Sequence, residues 1–207
     1  MGLRVAFLAA ECEPWAKTGG LADVVDALAR ALGLPEVDGV DGPVDVFLPR
    51  YQAVPAPDPG DVLGETMLAV PDPRARTGSS QVTITDVAGN GYRLRLIDHP
   101  PAFDRAGLYG DATGDYADNA WRFGLYCRAA LEALRADGRP LDVLHLHDWQ
   151  AGPAAIFRDL WYADSRRIAV GPACQSCRCR TSTGRPSARN ASNAARQYSP
   201  NRQALSA

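Results

Sequence analysis

Two short segments of this 207-residue chain gather the residue types that chemistry needs. The first is Lys17-Thr18-Gly19-Gly20. Two glycines let a backbone come close to a ligand, a helix beginning near Leu21 would present free N–H groups, and Lys17 adds a mobile cation. That combination suits a phosphate. The alternative is that Gly19 and Gly20 only turn the chain while Lys17 is solvated. Neither the Gly-x-x-x-x-Gly-Lys-Ser/Thr order nor Gly-x-Gly-x-x-Gly is present. The second segment is His145-x-His147-Asp148-Trp149-Gln150. Strand alternation turns His145 and His147 to one face, with Asp148 following at the strand tip. Two imidazoles with a single neighbouring acid make an incomplete metal site, so hydrogen bonding to a polyol is the better reading. Asp148 would orient a sugar hydroxyl or support positive charge at a reacting carbon; the alternative is an N-cap for the next helix. Trp149 offers a flat face to a sugar ring or else belongs to the core. Cys12 and Cys127 are expected to be reduced, and nothing near them argues for a nucleophile.

The elements that must hold these segments follow an alternation of strand and helix. Arg4–Ala10 is a nearly continuous apolar run, as in a strand buried on both faces of a parallel sheet. Leu21, Val24, Val25, Leu28 and Leu32 then recur at helical spacing until Gly33. Val44–Pro49 reads as a second strand, set parallel beside the first by the right-handed crossover rule. Residues 53–79, rich in Pro, Gly and Asp, predict loop with at most one short strand. Gln81–Val87 and Tyr92–Ile97 flank Gly89-Asn90-Gly91 as a hairpin. Asp115 or Asp118 caps a long helix ending near Ala136, Leu141–His147 is another buried strand, and Ala154–Trp161 suits a helix. Ile168–Val170 begins one more strand. The fold class is α/β, a Rossmann-like doubly wound, mostly parallel sheet, in which ligands bind outside the carboxyl ends of the strands. Both polar segments fall there.

Composition sets further bounds. With 46% hydrophobic and 22% charged residues the chain is globular, and no apolar run is long enough to cross a bilayer. Glu11 and Glu13 spoil a signal-peptide reading of the N-terminus, so a cytoplasmic location is expected. The net charge of −2 hides a split: all 24 acidic residues and 16 of the 22 basic ones precede Gly171. An acidic body argues against non-specific nucleic-acid binding. Lys17 is the sole lysine among 22 basic residues.

From Gly171 to Ala207 there is no Ile, Val, Phe, Trp, Met, acid or histidine. Such a segment cannot offset the entropy of folding and is expected to be a disordered tail to a domain spanning residues 1–170. Cys174, Cys177 and Cys179 lack the fourth ligand a zinc site needs. The abrupt change of composition reads as a reading-frame change or an artefactual end.

The run Val5-Ala6-Phe7-Leu8-Ala9-Ala10-Glu11-Cys12-Glu13-Pro14-Trp15-Ala16-Lys17-Thr18-Gly19-Gly20-Leu21-Ala22-Asp23-Val24 resembles bacterial glycogen synthases and plant starch synthases. The likeness continues through Leu48-Pro49-Arg50-Tyr51, Leu108-Tyr109-Gly110, Asp115-Tyr116-Ala117-Asp118-Asn119 with Arg122-Phe123, and His145-x-His147-Asp148-Trp149-Gln150-Ala151-Gly152. It implies the N-terminal half of a GT-B fold, two Rossmann-like domains around a cleft. It also implies retaining transfer of glucose from ADP-glucose to the non-reducing end of an α-1,4-glucan. By the same resemblance Asp148 and His147 would sit at the reacting sugar, with Lys17 on the donor phosphates. Thr18, Gly19, Gly20, Tyr109, His145, Trp149 and Gln150 would contact substrate, and no cofactor or metal is needed. The family's Thr-x-His-Asn motif on the next strand and its C-terminal domain have no counterpart after Val170. An incomplete domain, inactive by itself, is therefore expected.

Overall fold

The structure is a computed structural model that describes residues 2–162 and the strand at 168–170. The readings of the tail, its cysteines included, lie outside the described residues. Strand β1 (Val5–Leu8) is buried along its whole length. Helix α1 (Gly20–Leu32) follows, and strand β2 (Val44–Pro49), fully buried, returns parallel to β1 with Ala6 opposite Asp45. On α1 the buried stripe is Ala22, Val25, Asp26 and Ala29, while Val24 stands 56% exposed. Of the aliphatics that the spacing singles out, Val25 is buried and Leu21, Leu28 and Leu32 pack partly buried against the core; only Val24 points away, because the small Ala22 and Ala29 occupy the closest approach to the sheet. Gly33 does end α1, donating its N–H to the Ala29 carbonyl. Its φ of −83° needs no glycine. A Cβ there would come within 2.0 Å of the Gly91 carbonyl oxygen, so close approach to the following hairpin is what demands it.

Strand β3 (Val62–Pro71) is ten residues long and corrects the expectation of loop. It is the exposed edge of the sheet, paired antiparallel with β4 (Ser79–Ala88). Leu63 and Met67 face solvent, so the strand lacks the buried alternation by which strands are recognised. The β4–β5 hairpin forms as expected: β5 (Tyr92–Asp98) is antiparallel to β4 and parallel to β2, and Gly91 takes a φ of +84° in the turn. A short helix α2 (Pro100–Phe103) and a two-stranded ribbon, β6 (Gly110–Asp111) with β7 (Gly114–Asp115), lead into helix α3 (Asn119–Ala136). Asp118 occupies the N-cap position of α3, but its carboxylate accepts both hydrogen bonds of the Arg105 fork at 2.8 Å and makes no cap. Strand β8 (Leu141–Leu146), helices α4 (Asp148–Ala151) and α5 (Pro153–Trp161), and strand β9 (Ile168–Val170) complete the described chain.

The seven strands run in the order β3-β4-β5-β2-β1-β8-β9, parallel from β5 to β9. The chain moves from β1 one way, to β2, and later returns to β8 on β1's other side. That reversal makes the gap between β1 and β8 the topological switch point of the sheet. Right-handed crossovers in opposite directions require α1 and α3 on opposite faces. Tyr126 of α3 anchors the exit of β1: its hydroxyl reaches the carbonyl oxygens of Ala9 at 3.0 Å and Phe47 at 2.8 Å in the buried core. On α5, Ile156, Leu160 and Trp161 remain exposed. Among the described residues no helix is long and apolar enough to cross a membrane.

The amino-terminal end of the central parallel strands is held by a largely buried charge network. Arg4 pairs with Asp45 and Asp137, Arg93 with Asp45, and Arg95 with Asp86 and Asp137. Burial raises the Asp137 pKa, but the hydrogen bonds and charges of Arg95 and Arg4 outweigh it and hold the carboxyl below its ordinary range. Removing one partner from such a network strands charges in the interior. Asp137→Ala is expected to lower unfolding stability in urea by about 2 to 4 kcal/mol, whereas a loss under about 0.5 kcal/mol would mean the arginines re-pair freely.

Candidate active site

The loop after β1 closes around a residue that spacing did not single out. Glu11, buried, accepts hydrogen bonds from the Thr18 amide (2.6 Å), the Thr18 hydroxyl (2.7 Å), the Gly19 amide (3.1 Å) and the Tyr109 hydroxyl (2.7 Å). Burial raises the Glu11 pKa, yet the bonds from Thr18, Tyr109 and Gly19 more than offset it and leave the carboxyl below its usual range. The Thr18 and Gly19 amides are therefore already engaged. No side chain caps α1, whose first turn begins at Gly20 and Leu21. Gly19 is extended, with φ of −152°, and a Cβ added at Gly19 or Gly20 would meet no protein atom within 4 Å. Neither turning the chain nor packing demands these glycines, while the open approach to the backbone fits a ligand. Lys17 is exposed and pairs with Asp23 at 2.7 Å and Glu13 at 3.2 Å, Asp23 first and Glu13 second raising its pKa.

The second segment leaves the neighbouring strand at the same level. Leu8 at the end of β1 stands opposite Leu146 at the end of β8, and Phe7 opposite His145. His145 and His147 do share a face: their rings lie 4.2 Å apart, and both pack edge-on against Phe7 at 4.8 and 5.0 Å. Burial, and then the charge of His145, pushes the His147 pKa down to about 4; burial also lowers His145. Both imidazoles are thus neutral near pH 7 and are not cations. His147 is the residue before α4, and Asp148 opens that helix with a φ of +62°. It is the one non-glycine residue with positive φ among those described. Strain of this kind is typical of functional sites and turns the Asp148 carboxyl into the exit of the strand. That carboxylate accepts from the Trp149 amide at 2.7 Å, a local bond, and His147, not Asp148, occupies the N-cap position, against the alternative reading. Trp149 is 53% exposed with its edge on Phe123 at 5.3 Å, so it is not a core residue. Gln150 is buried; its Oε1 and the His147 Nε2 have no hydrogen-bond partner among the described residues.

Tyr109 joins the two segments. Its hydroxyl holds Glu11, its ring packs on Phe123 at 6.0 Å beside Trp149, and it lies near enough to Asp148 for that charge to help raise its phenol pKa, after burial and the Glu11 bond. The Tyr109 loop is pinned from behind. Asn119 Nδ2 donates to the Tyr109 carbonyl (2.7 Å), and the buried Arg122 donates to Ala102 O (2.6 Å), Asn119 Oδ1 (2.7 Å) and Leu108 O (3.1 Å). Phe103, Tyr116 and Phe123 surround that guanidinium. The Asn119 and Arg122-Phe123 motif thus positions Tyr109. Burial pushes the Cys12 thiol up to about 12, and both described cysteines are buried and free, so neither is a nucleophile. Among the described residues no cluster of three or more His, Cys, Asp or Glu is placed to hold a metal ion.

A doubly wound half-domain with a glycine loop and a histidine-aspartate strand tip at its switch point is one half of a GT-B glycosyltransferase fold. The chain belongs to the starch synthase catalytic domain family, whose profile matches residues 4–173. It is 35% identical over 162 residues to a glycogen synthase of Koribacter versatilis, covering 78% of this chain and 31% of that protein. It is 36% identical over 176 residues to one of Granulibacter bethesdensis, covering 79% and 32%. A solved structure, the catalytic domain of starch synthase IV from Arabidopsis thaliana bound to ADP and acarbose, superposes with a TM-score of 0.65 at 30% identity, covering 82% of this chain and 33% of that one. The chain thus spans about a third of the length of these relatives.

The imidazole pair makes stability depend on pH. Unfolded His147 takes up a proton near pH 6.5, but in the fold it stays neutral until about pH 4. The unfolded state therefore binds more protons in that window, and stability falls as pH drops from about 6.5 to about 4, by roughly 3 kcal/mol for this residue. His99 and His145, both lowered chiefly by burial, act in the same direction. Urea unfolding at several pH values should show the slope, and His147→Gln should remove most of it; an unchanged slope would show that His147 is not the main titrating group.

Proposed function

We propose that this chain forms the N-terminal wall of a retaining glucosyltransferase that moves glucose from ADP-glucose to the non-reducing end of an α-1,4-glucan. The observation that carries this reading is that the Lys17–Gly20 loop and the His147–Gln150 strand tip leave adjacent strands side by side at the switch point, with Tyr109 linked to the first through Glu11 and to the second through Phe123. In the reaction the bond from the anomeric carbon to the diphosphate oxygen breaks and a bond to the glucan 4-hydroxyl oxygen forms. That hydroxyl's proton leaves, and ADP is released. Charge gathers on the leaving diphosphate, and an oxocarbenium-like carbon develops beside it.

Lys17 would exchange its exposed partners, Glu13 and Asp23, for the diphosphate, at the uncapped first turn of α1. Asp148, held at the strand tip, would lie beside the positively charged carbon. Neutral His147, His145 and the buried Gln150 amide would hydrogen-bond sugar hydroxyls, which would satisfy the unpartnered His147 Nε2 and Gln150 Oε1. A pKa near 4 makes His147 a poor proton carrier at neutral pH and favours an orienting role. Trp149 would offer its exposed face to a glucose ring.

Stabilising both charges away from water requires enclosing the donor between two walls, and this chain provides one of them. By itself it is therefore expected to bind substrate without turnover. Three assays on the 207-residue protein test the reading. Glycogen in a native gel should retard it, and Trp149→Ala should abolish most of the retardation. Calorimetry should detect ADP-glucose, with affinity falling about tenfold or more in Lys17→Ala. Glucose incorporation into glycogen should stay at background. Absence of both glycogen retardation and ADP-glucose binding would sink the proposal, and turnover comparable to that of an intact synthase would sink the one-wall argument.

A further inference from the structure

We propose that Glu11 is a positioning residue that ties the Lys17–Gly20 loop to the Tyr109 loop and so assembles the two halves of the site; the inference deepens the substrate reading above and rests on it. An ionised carboxylate has about four lone-pair positions, two on each oxygen. All four of Glu11's are taken. Oε2 accepts the amides of Thr18 and Gly19, and Oε1 accepts the hydroxyls of Thr18 and Tyr109. A carboxylate so saturated has no position left for a substrate proton, and it is buried behind the loop it holds. Its work is geometric. Glu13, two residues along, is a half-exposed partner of Lys17 and shares none of these contacts.

The link is continuous in space. From Gly19 it runs through Glu11 to Tyr109, from the Tyr109 ring to Phe123, and from Phe123 to Trp149. The Tyr109 carbonyl is meanwhile held by the Tyr116 amide at 3.0 Å and by Asn119. Releasing Glu11 frees the turn that carries Lys17 and, with it, the hydroxyl that fixes Tyr109 beside Asp148.

The two chemically distinct substitutions at this position separate geometry from charge. In Glu11→Gln the amide oxygen can still accept the two backbone N–H groups, and the amide nitrogen can donate to the Thr18 and Tyr109 hydroxyls, which reverse their roles. Glu11→Ala keeps none of the four bonds. Amide hydrogen exchange followed by NMR on the full 207-residue chain reads the link directly. Exchange at Thr18 and Gly19 should quicken about tenfold to a hundredfold in Glu11→Ala and stay near wild type in Glu11→Gln. The dissociation constant for ADP-glucose should rise in the alanine variant and be largely restored in the glutamine variant. A glutamine variant as defective in ADP-glucose binding as the alanine one, with Thr18 and Gly19 still protected, would overturn the positioning role in favour of a role for the charge itself. Unchanged exchange in the alanine variant would overturn it outright.

Should Glu11→Ala fail to fold, Tyr109→Phe removes only the phenol end of the link. Exchange at the Tyr116 amide should then quicken about tenfold, and no change there would refute the coupling. If no form binds ADP-glucose or is retarded by glycogen, the substrate reading falls while the exchange pattern still decides the link.

Discussion

The parallel pairing of β1 with β8 is the constraint on which the site depends. Because Leu8 and Leu146 end their strands side by side, the two loops that follow must leave the sheet at neighbouring points and on the same edge. The chain reverses its winding there, so no crossover helix covers the gap. Continuous apolar strands make this arrangement possible: β1 is buried throughout, and Tyr126 ties its exit to that of β2 through two carbonyl oxygens. The sheet supplies rigidity and the loops supply chemistry.

Electrostatics within the site are more constrained than the residue types suggest. Thr18 and Gly19 spend their amides on Glu11, and Lys17 rests between two carboxylates. On the proposed reading, a ligand anion would use what remains, the first turn of α1 and a lysine drawn away from Glu13 and Asp23. The paired imidazoles cannot contribute positive charge at neutral pH, since burial lowers both and the charge of His145 lowers His147 further. Lys17 and the backbone dipoles are, on the proposed reading, the cationic help this loop offers a diphosphate.

Strongly patterned segments could be read from the sequence because burial imposes their pattern. The apolar runs of β1, β2 and β8, the glycine-bearing β4–β5 turn and the extent of α3 all follow from that. β3 escaped because an exposed edge strand carries no buried alternation, and its flanks are rich in Pro, Gly and Asp. Val24 was misjudged because Ala22 and Ala29 set the helix against the sheet, a choice that depends on tertiary packing. At the site, His145 and His147 were correctly set on one face by strand alternation. Glu11 was overlooked as a functional residue, since its partners Thr18 and Tyr109 lie 7 and 98 positions away and only the fold unites them. The one available signal was an acid standing at the end of a buried strand, where an unpaired charge would be costly. The Asp118 cap was half right: the position holds, but Arg105 offers the carboxylate a stronger partner than a helix amide.

The central claim is that two loops from adjacent strands form one binding site. A titration of the isotopically labelled chain with ADP-glucose, followed amide by amide, tests it most directly. The account predicts that Gly20 and Leu21 on one loop and Asp148 and Trp149 on the other shift together along a single binding curve. Shifts confined to one loop, or two loops titrating with separate affinities, would contradict it.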